Sequence, residues 1–231
     1  MKVSKKKLPI LAEAAQKNDE KKIKNFFESK ILKMLLDNKF AYLPPYFYNN
    51  PYALRCELGV GESKREYIKS AYRRAEEIYN ILFPEPPEAF FFDYYVYDYS
   101  SWEDINVKNL LAMQKKELEF LSRCYKKYEH TVVFDVPRDE EEEALRQNRI
   151  VCYLGGGKNK PLKKWIEMQF SWAICRISLV SCKNDFIFTI YDDRGCDIVF
   201  ADKEKMREYF PKLEKYLFEY DMEEMKKRIG E

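Results

Sequence analysis

Phe186-Ile187-Phe188-Thr189-Ile190-Tyr191-Asp192-Asp193-Arg194-Gly195-Cys196-Asp197-Ile198-Val199-Phe200 is the stretch whose reading decides the fold class. Its two apolar runs, Phe186 to Tyr191 and Ile198 to Ala201, are short and rich in β-branched and aromatic residues, so each reads as a buried strand. The polar hexapeptide Asp192 to Asp197 separates them, and Gly195 within it offers the positive φ of a tight reversal. The stretch is therefore predicted to be a hairpin, with Phe186–Tyr191 and Cys196–Ala201 as adjacent antiparallel strands inside one sheet. Asp192, Asp193, Arg194 and Asp197 would then sit together at one end of that sheet, the densest polar constellation in the chain.

Upstream of the hairpin, Ile174 to Ser181 and Ile150 to Leu154 read as strands, with a helix from about Pro161 to Phe170 between them. Gly155-Gly156-Gly157-Lys158 joins a strand to that helix, but Asn159 stands where a phosphate loop needs Ser or Thr, so it reads as a flexible loop. The acidic run Asp139 to Glu143 repels itself and stays solvated, as a loop or the first turn of a short helix ending near Arg149. Thr131 to Val136 is a short strand stopped by Pro137, and Asn106 to Lys127 carries a helical leucine stripe. Ala89 to Tyr99 is a long aromatic strand. Before it, Ser63-Lys64-Arg65-Glu66 is a capping box that opens a helix with Ile68, Ala71, Tyr72, Ala75, Ile78, Tyr79 and Leu82 on one stripe, ended by Pro84.

Tyr52 to Leu58 alternates as a strand, which puts Arg55 and Glu57 on one face. The prolines of Phe40 to Pro51 argue against regular structure there, while its aromatics imply packing across a domain face. Downstream of the hairpin, a helix with Met206, Tyr209 and Phe210 inward is expected to stop at Pro211. Leu213 to Tyr220 reads as either helix or strand. Asp221 then resembles a cap for a last helix with Met222, Met225 and Ile229 inward. Hairpins rather than crossovers join the last strands. The fold class is α+β: a mostly antiparallel sheet with helices packed mainly on one face. Residues 1–39 form a lysine-rich amphipathic helical segment, and 40–231 a single α+β domain.

Composition narrows the chemistry. The 231 residues include 46% hydrophobic and 16% aromatic side chains, enough for a packed core. Only 7 glycines stand against 18 tyrosines and 16 phenylalanines, which disfavours a glycine-loop nucleotide enzyme. With 41 basic and 39 acidic residues, net charge +2, electrostatics favours no nucleic-acid partner, and the lysine face of the first helix reads as solvation. The six cysteines lack Cys-x-x-Cys spacing and lie in apolar runs, as free thiols of a reducing compartment do. One histidine, His130, leaves no basis for a zinc site or a supported nucleophilic triad. No window reaches the ~20 apolar residues of a membrane span. No cofactor or metal is expected, and the default location is cytoplasmic.

The core Ile190-Tyr191-Asp192-Asp193-Arg194-Gly195-Cys196-Asp197-Ile198-Val199 resembles the signature of an uncharacterised bacterial family, domain of unknown function 3885. Tyr48-Asn49-Asn50-Pro51-Tyr52 leading to Arg55 and Glu57-Leu58-Gly59, then Arg74-Ala75 through Ile78 to Leu82-Phe83, and Tyr220-Asp221 with Glu223-Glu224, agree in order. The resemblance runs from about Tyr48 to the end. It implies a bacterial soluble protein and carries no activity.

Two functions follow from the residues. The leading one is a cytoplasmic, non-catalytic module that grips another protein, of the immunity or accessory kind, using tyrosine-rich surface. The alternative is a metal-dependent hydrolase or transferase in which Asp192, Asp193 and Asp197 hold a cation and Arg194 an anion. Set against that alternative, turn aspartates commonly accept backbone N–H bonds, and Arg194 has Asp197 or Glu57 to pair with. No catalytic residue is assigned.

Overall fold

The computed structural model describes residues 29–31, 33, 46–97, 129–135, 144–153, 162–170 and 176–231. Seven strands form one sheet: β1 Ala53–Glu57, β2 Ala89–Tyr97, β3 Glu129–Asp135, β4 Ala144–Tyr153, β5 Arg176–Ser181, β6 Phe186–Ile190 and β7 Gly195–Phe200. Their order is β1-β7-β6-β5-β2-β4-β3, and every neighbouring pair is antiparallel. With them go helices α1 Tyr46–Asn49, α2 Lys64–Leu82, α3 Leu162–Phe170, α4 Lys203–Leu213 and α5 Met222–Ile229. The protein is an α+β fold.

The hairpin forms as expected, pairing Phe186 with Phe200 and Ile190 with Cys196. Both strands are interior, since β7 is flanked by β1 and β6 by β5. Two details differ from expectation. β7 begins at Gly195, so Asp197 belongs to the strand and not to the turn. Gly195 is also not a positive-φ glycine; among the described residues those are Gly61 and Gly230. It is required for space. A Cβ there would run into the Tyr191 hydroxyl and lie 2.7 Å from the Cys56 carbonyl oxygen.

Facing residues of paired strands share a face, so Leu54, Ile198, Phe188, Leu179 and Phe90 form one row across five strands, all buried. Helices α2, α3 and α4 lie on this apolar face. Phe83 just after α2 packs on Phe186 at 5.2 Å, Trp165 of α3 on Phe188 at 5.5 Å, and Tyr209 of α4 stacks on Phe200 at 5.4 Å. The opposite face carries the row Arg55, Asp197, Thr189, Ser178, where Ser178 and Thr189 share a hydroxyl hydrogen bond of 2.6 Å. Against that second face sits α1, whose Phe47 N–H reaches Asp197.

The capping box opens α2 as read, with Ser63 accepting from the Glu66 N–H and Glu66 accepting from the Ser63 N–H. Of its predicted stripe, Ala71, Ala75, Ile78, Tyr79 and Leu82 are buried and Ile68 is half-buried. Elsewhere tertiary packing overrides local signals. Pro211 does not end α4, which runs on to Leu213; a proline near a helix end removes one hydrogen bond, and burial of Phe210 and Leu213 carries the chain past it. Between the prolines, Tyr46–Asn49 winds one helical turn, held by Asn50 donating to the Tyr46 carbonyl at 2.7 Å. Leu213 to Tyr220 is neither α-helix nor strand but two 3-10 turns, Glu214–Tyr216 and Glu219–Asp221. Residues 144–149, expected as loop or short helix, are the first half of β4, paired on both sides by β2 and β3. The sequence-predicted helix over 106–127, the acidic run 139–143 and the glycine loop 155–158 lie outside the described residues. So does most of the amino-terminal helix, but its Ile31 is fully buried, and Ser29 and the Ile31 N–H both donate to Asp185.

The β1–β7 register also settles the thiols. The bonds Phe200 N–H to Tyr52 O and Leu58 N–H to Arg194 O show that the even positions of β1 form the hydrogen-bonded pairs. Cys56 and Cys196 face each other in such a pair, where side chains stand farther apart than in the alternate kind. Both are free, as is Cys182, whose thiol burial pushes up to about 12. A thiol that far above ordinary is neutral at pH 8 and a poor nucleophile. Alkylation of the native protein at pH 8 should therefore spare Cys56, Cys182 and Cys196, whereas denaturing, non-reducing titration should count all six thiols. For Gly195→Ala, urea unfolding should show a loss of about 1–3 kcal/mol, the usual cost of overpacking a closed site.

Candidate functional site

Arg55 stands in the middle of β1 with Asp197 directly across on β7. Being an odd position, it is a non-hydrogen-bonded pair, the kind in which Cα atoms approach to about 4.5 Å and side chains meet. The guanidinium donates from Nε to Asp197 Oδ1 at 3.0 Å and from Nη2 to Oδ2 at 3.4 Å. Its third nitrogen, Nη1, lies 3.6 Å from Asp221 Oδ2. Side-chain exposures of 13% for Arg55, 2% for Asp197 and 6% for Asp221 put the trio inside the protein. Such a pair persists in low dielectric only when its remaining valences are met. The Phe47 N–H donates to Asp197 Oδ2 at 3.1 Å, and the Tyr48 hydroxyl donates to Asp221 Oδ1 at 3.3 Å.

Aromatic rings close the box. The Arg55 guanidinium lies over Tyr48 at 4.6 Å, Phe47 at 5.0 Å and Tyr191 at 5.6 Å from the ring centroids. Arg228 of α5 stacks on Phe47 at 4.2 Å and donates to the carbonyls of Phe47 and Asn50 at 2.8 and 3.0 Å. Two arginines thereby pin the single turn α1, one from the sheet and one from the carboxy terminus. Burial alone pulls the Arg55 guanidinium down, but the hydrogen bond and charge of Asp197 more than offset this and hold it above its ordinary range. Burial, aided by the Asp197 charge, keeps the Tyr191 phenol far above its usual range and neutral. Nothing in the box is poised for proton transfer near neutral pH.

The four residues singled out from sequence are not brought together. Asp192 accepts from the Arg194 N–H at 2.8 Å and from its Nε at 2.8 Å, the turn-aspartate role. Arg194, with a 75% exposed side chain, pairs with Asp192 in place of the expected Asp197 or Glu57. Asp193 lies beside Tyr67, whose phenol is raised by burial and then by the charges of Asp193 and Asp192. Asp197 is the exception, buried two residues into β7. Among the described residues no three Asp, Glu, His or Cys side chains converge on a point where a metal ion could sit. His130 is on β3, the opposite edge of the sheet from β1, six strand spacings or roughly 29 Å from Arg55.

Asp221, read from sequence as a helix cap, makes no side-chain cap bond and faces Arg55 instead. That role, and the one of Arg228, lay hidden because their partners are about 170 residues away in sequence. A signal for the pair itself existed: Arg55 and Asp197 are opposite charges at inward positions of two apolar strands.

Removing one member of a buried pair strands the other. Asp197→Asn and Arg55→Ala should each cost about 3–5 kcal/mol in urea unfolding, and Arg55→Met with Asp197→Leu should recover much of it. Asp192→Ala and Asp193→Ala, at an exposed turn, should each cost under about 1 kcal/mol. Mg²⁺, Mn²⁺ or Ca²⁺ should leave the melting temperature unchanged; a rise lost in those two alanine variants would restore the metal reading.

No curated protein and no solved structure matches this chain. A family model, Domain of unknown function (DUF3885), matches residues 32–221, starting inside the lysine-rich segment and taking in α1, the hairpin, Arg55, Asp197 and Asp221. Since that match spans most of the 231 residues, the chain belongs to the DUF3885 family.

Proposed function

We propose that the protein is a non-catalytic binding module that grips another protein, as an immunity or accessory protein of a bacterial cytoplasm does. One observation carries this reading. Among the described residues the exposed large hydrophobic side chains are Tyr48 and Tyr220, at 53% and 85%, and they lie at one place. The Tyr48 hydroxyl reaches Asp221, the neighbour of Tyr220. Tyrosine is favoured at interfaces because a rigid ring offers large amphipathic area at low entropic cost. The Arg55 box supports the same reading, since it fixes Tyr48 before any partner arrives, and preorganisation strengthens binding. The chemistry of the box favours scaffold over catalysis, with its arginine doubly engaged and its tyrosine neutral. No helix among the described residues is long and apolar enough to cross a membrane.

A photo-crosslinking amino acid in place of Tyr220, in the full chain expressed in its native cell, tests the reading. A discrete adduct from position 220, absent when the crosslinker replaces the exposed Arg73, is the expected result. No adduct from 220, or the same adducts from both positions, would overturn it.

A further inference from the structure

Resting on that reading, we propose that the partner's contacting surface is basic, with an arginine or lysine head seated against the exposed rings of Tyr48 and Tyr220. The charge of the ground beneath those rings is unequal. Asp197 and Asp221 enclose the single cation Arg55, which leaves the buried trio with one net negative charge. Arg228 does not neutralise it, being engaged with Glu224 at 2.9 Å. Moreover Asp221 Oδ2 is buried without a hydrogen bond, its distance to Arg55 being an ion pair only. A carboxylate oxygen so placed has an unmet demand for positive charge.

Outside the box the surface has the same sign. Glu219 flanks Tyr220 and is exposed, and Glu223 has a 93% exposed side chain held only by Lys226 at 3.9 Å. The basic residues of α5, Lys226, Lys227 and Arg228, occupy its last turn, while Glu223 and Glu224 occupy the first, beside Tyr220. Acid therefore gathers at the tyrosine end of the helix. The protein already shows what such a ring takes: the Tyr48 ring accommodates the Arg55 guanidinium at 4.6 Å. A second cation on the exposed rings would combine cation–π attraction with the pull of Glu219, Glu223 and the negative trio. Charge complementarity of this kind sets specificity and rate of encounter.

The test uses the full ¹⁵N-labelled chain and two probe peptides, one alternating Gly and Arg, the other alternating Gly and Glu. The arginine peptide should shift the amides of Tyr48, Asn49 and Glu219 to Glu224, with affinity falling about tenfold between low and high salt as the charges are screened. The glutamate peptide should shift none of them. Glu219→Lys with Glu223→Lys, both at exposed positions, should abolish the arginine response without lowering the melting temperature. An arginine response located elsewhere, an equal response to the glutamate peptide, or an unchanged response in the double variant each overturns the basic partner. The crosslink from position 220 separates the two levels. Formed undiminished in the double variant, it removes the basic partner and leaves the docking face standing; absent from the wild-type background, it removes the docking face itself.

Discussion

The structure depends on a register. Arg55 and Asp197 face each other across β1 and β7 at a non-hydrogen-bonded position, and only there do antiparallel strands bring side chains close enough for a two-point guanidinium–carboxylate bond. A slip of one residue would turn Arg55 into the aromatic face and Cys56 out of it. In a low-dielectric interior that alternative leaves both charges unpaired, so the pair acts as a key for the correct register. The hydrophobic pattern already favours this register; the ion pair penalises its nearest competitor.

Everything on the second face then builds on the pair. Asp197 orders the α1 backbone through the Phe47 N–H, Arg55 orders the rings of Phe47 and Tyr48, and Asp221 draws the 3-10 turn at the start of α5 onto β1. The outer edge of β1 is covered by the same turn, where Phe218 N–H donates to the Arg55 carbonyl and Leu217 bridges to Cys56. An edge strand left bare would invite pairing with another chain. Residues from three distant parts of the sequence thus meet at one sheet edge. Tyr48 and Tyr220 are what this edge presents outward.

The two faces of the sheet do different work. One is aromatic and holds α2, α3 and α4 by ring contacts that need shape but no polar geometry. The other carries the row Arg55, Asp197, Thr189 and Ser178, buried yet polar, so its groups must find partners of defined direction. Stability resides chiefly on the first face; uniqueness of geometry, and with it the presentation of Tyr48, resides on the second.

What the sequence determined by itself was whatever rests on neighbours in the chain. The β6–β7 hairpin, the Ser63–Glu66 capping box, the stripe of α2 and the Asp192 turn all follow from alternation, helical spacing or a side chain bonding a backbone two or three residues away. What only the tertiary structure decided was whatever needs a partner from afar. Asp197 looked like the last member of a turn cluster, and pairing with β1 made it a buried counter-ion. Asp221 looked like a cap, and Arg55 took it away from the helix. Pro211 looked like a stop, and the sheet beneath Phe210 and Leu213 held the helix through it. Gly195 looked like a φ requirement and proved to be a space requirement set by Tyr191 and Cys56. Local spacing cannot register these outcomes, because each depends on a charge, ring or carbonyl that chain folding alone brings within a few ångströms.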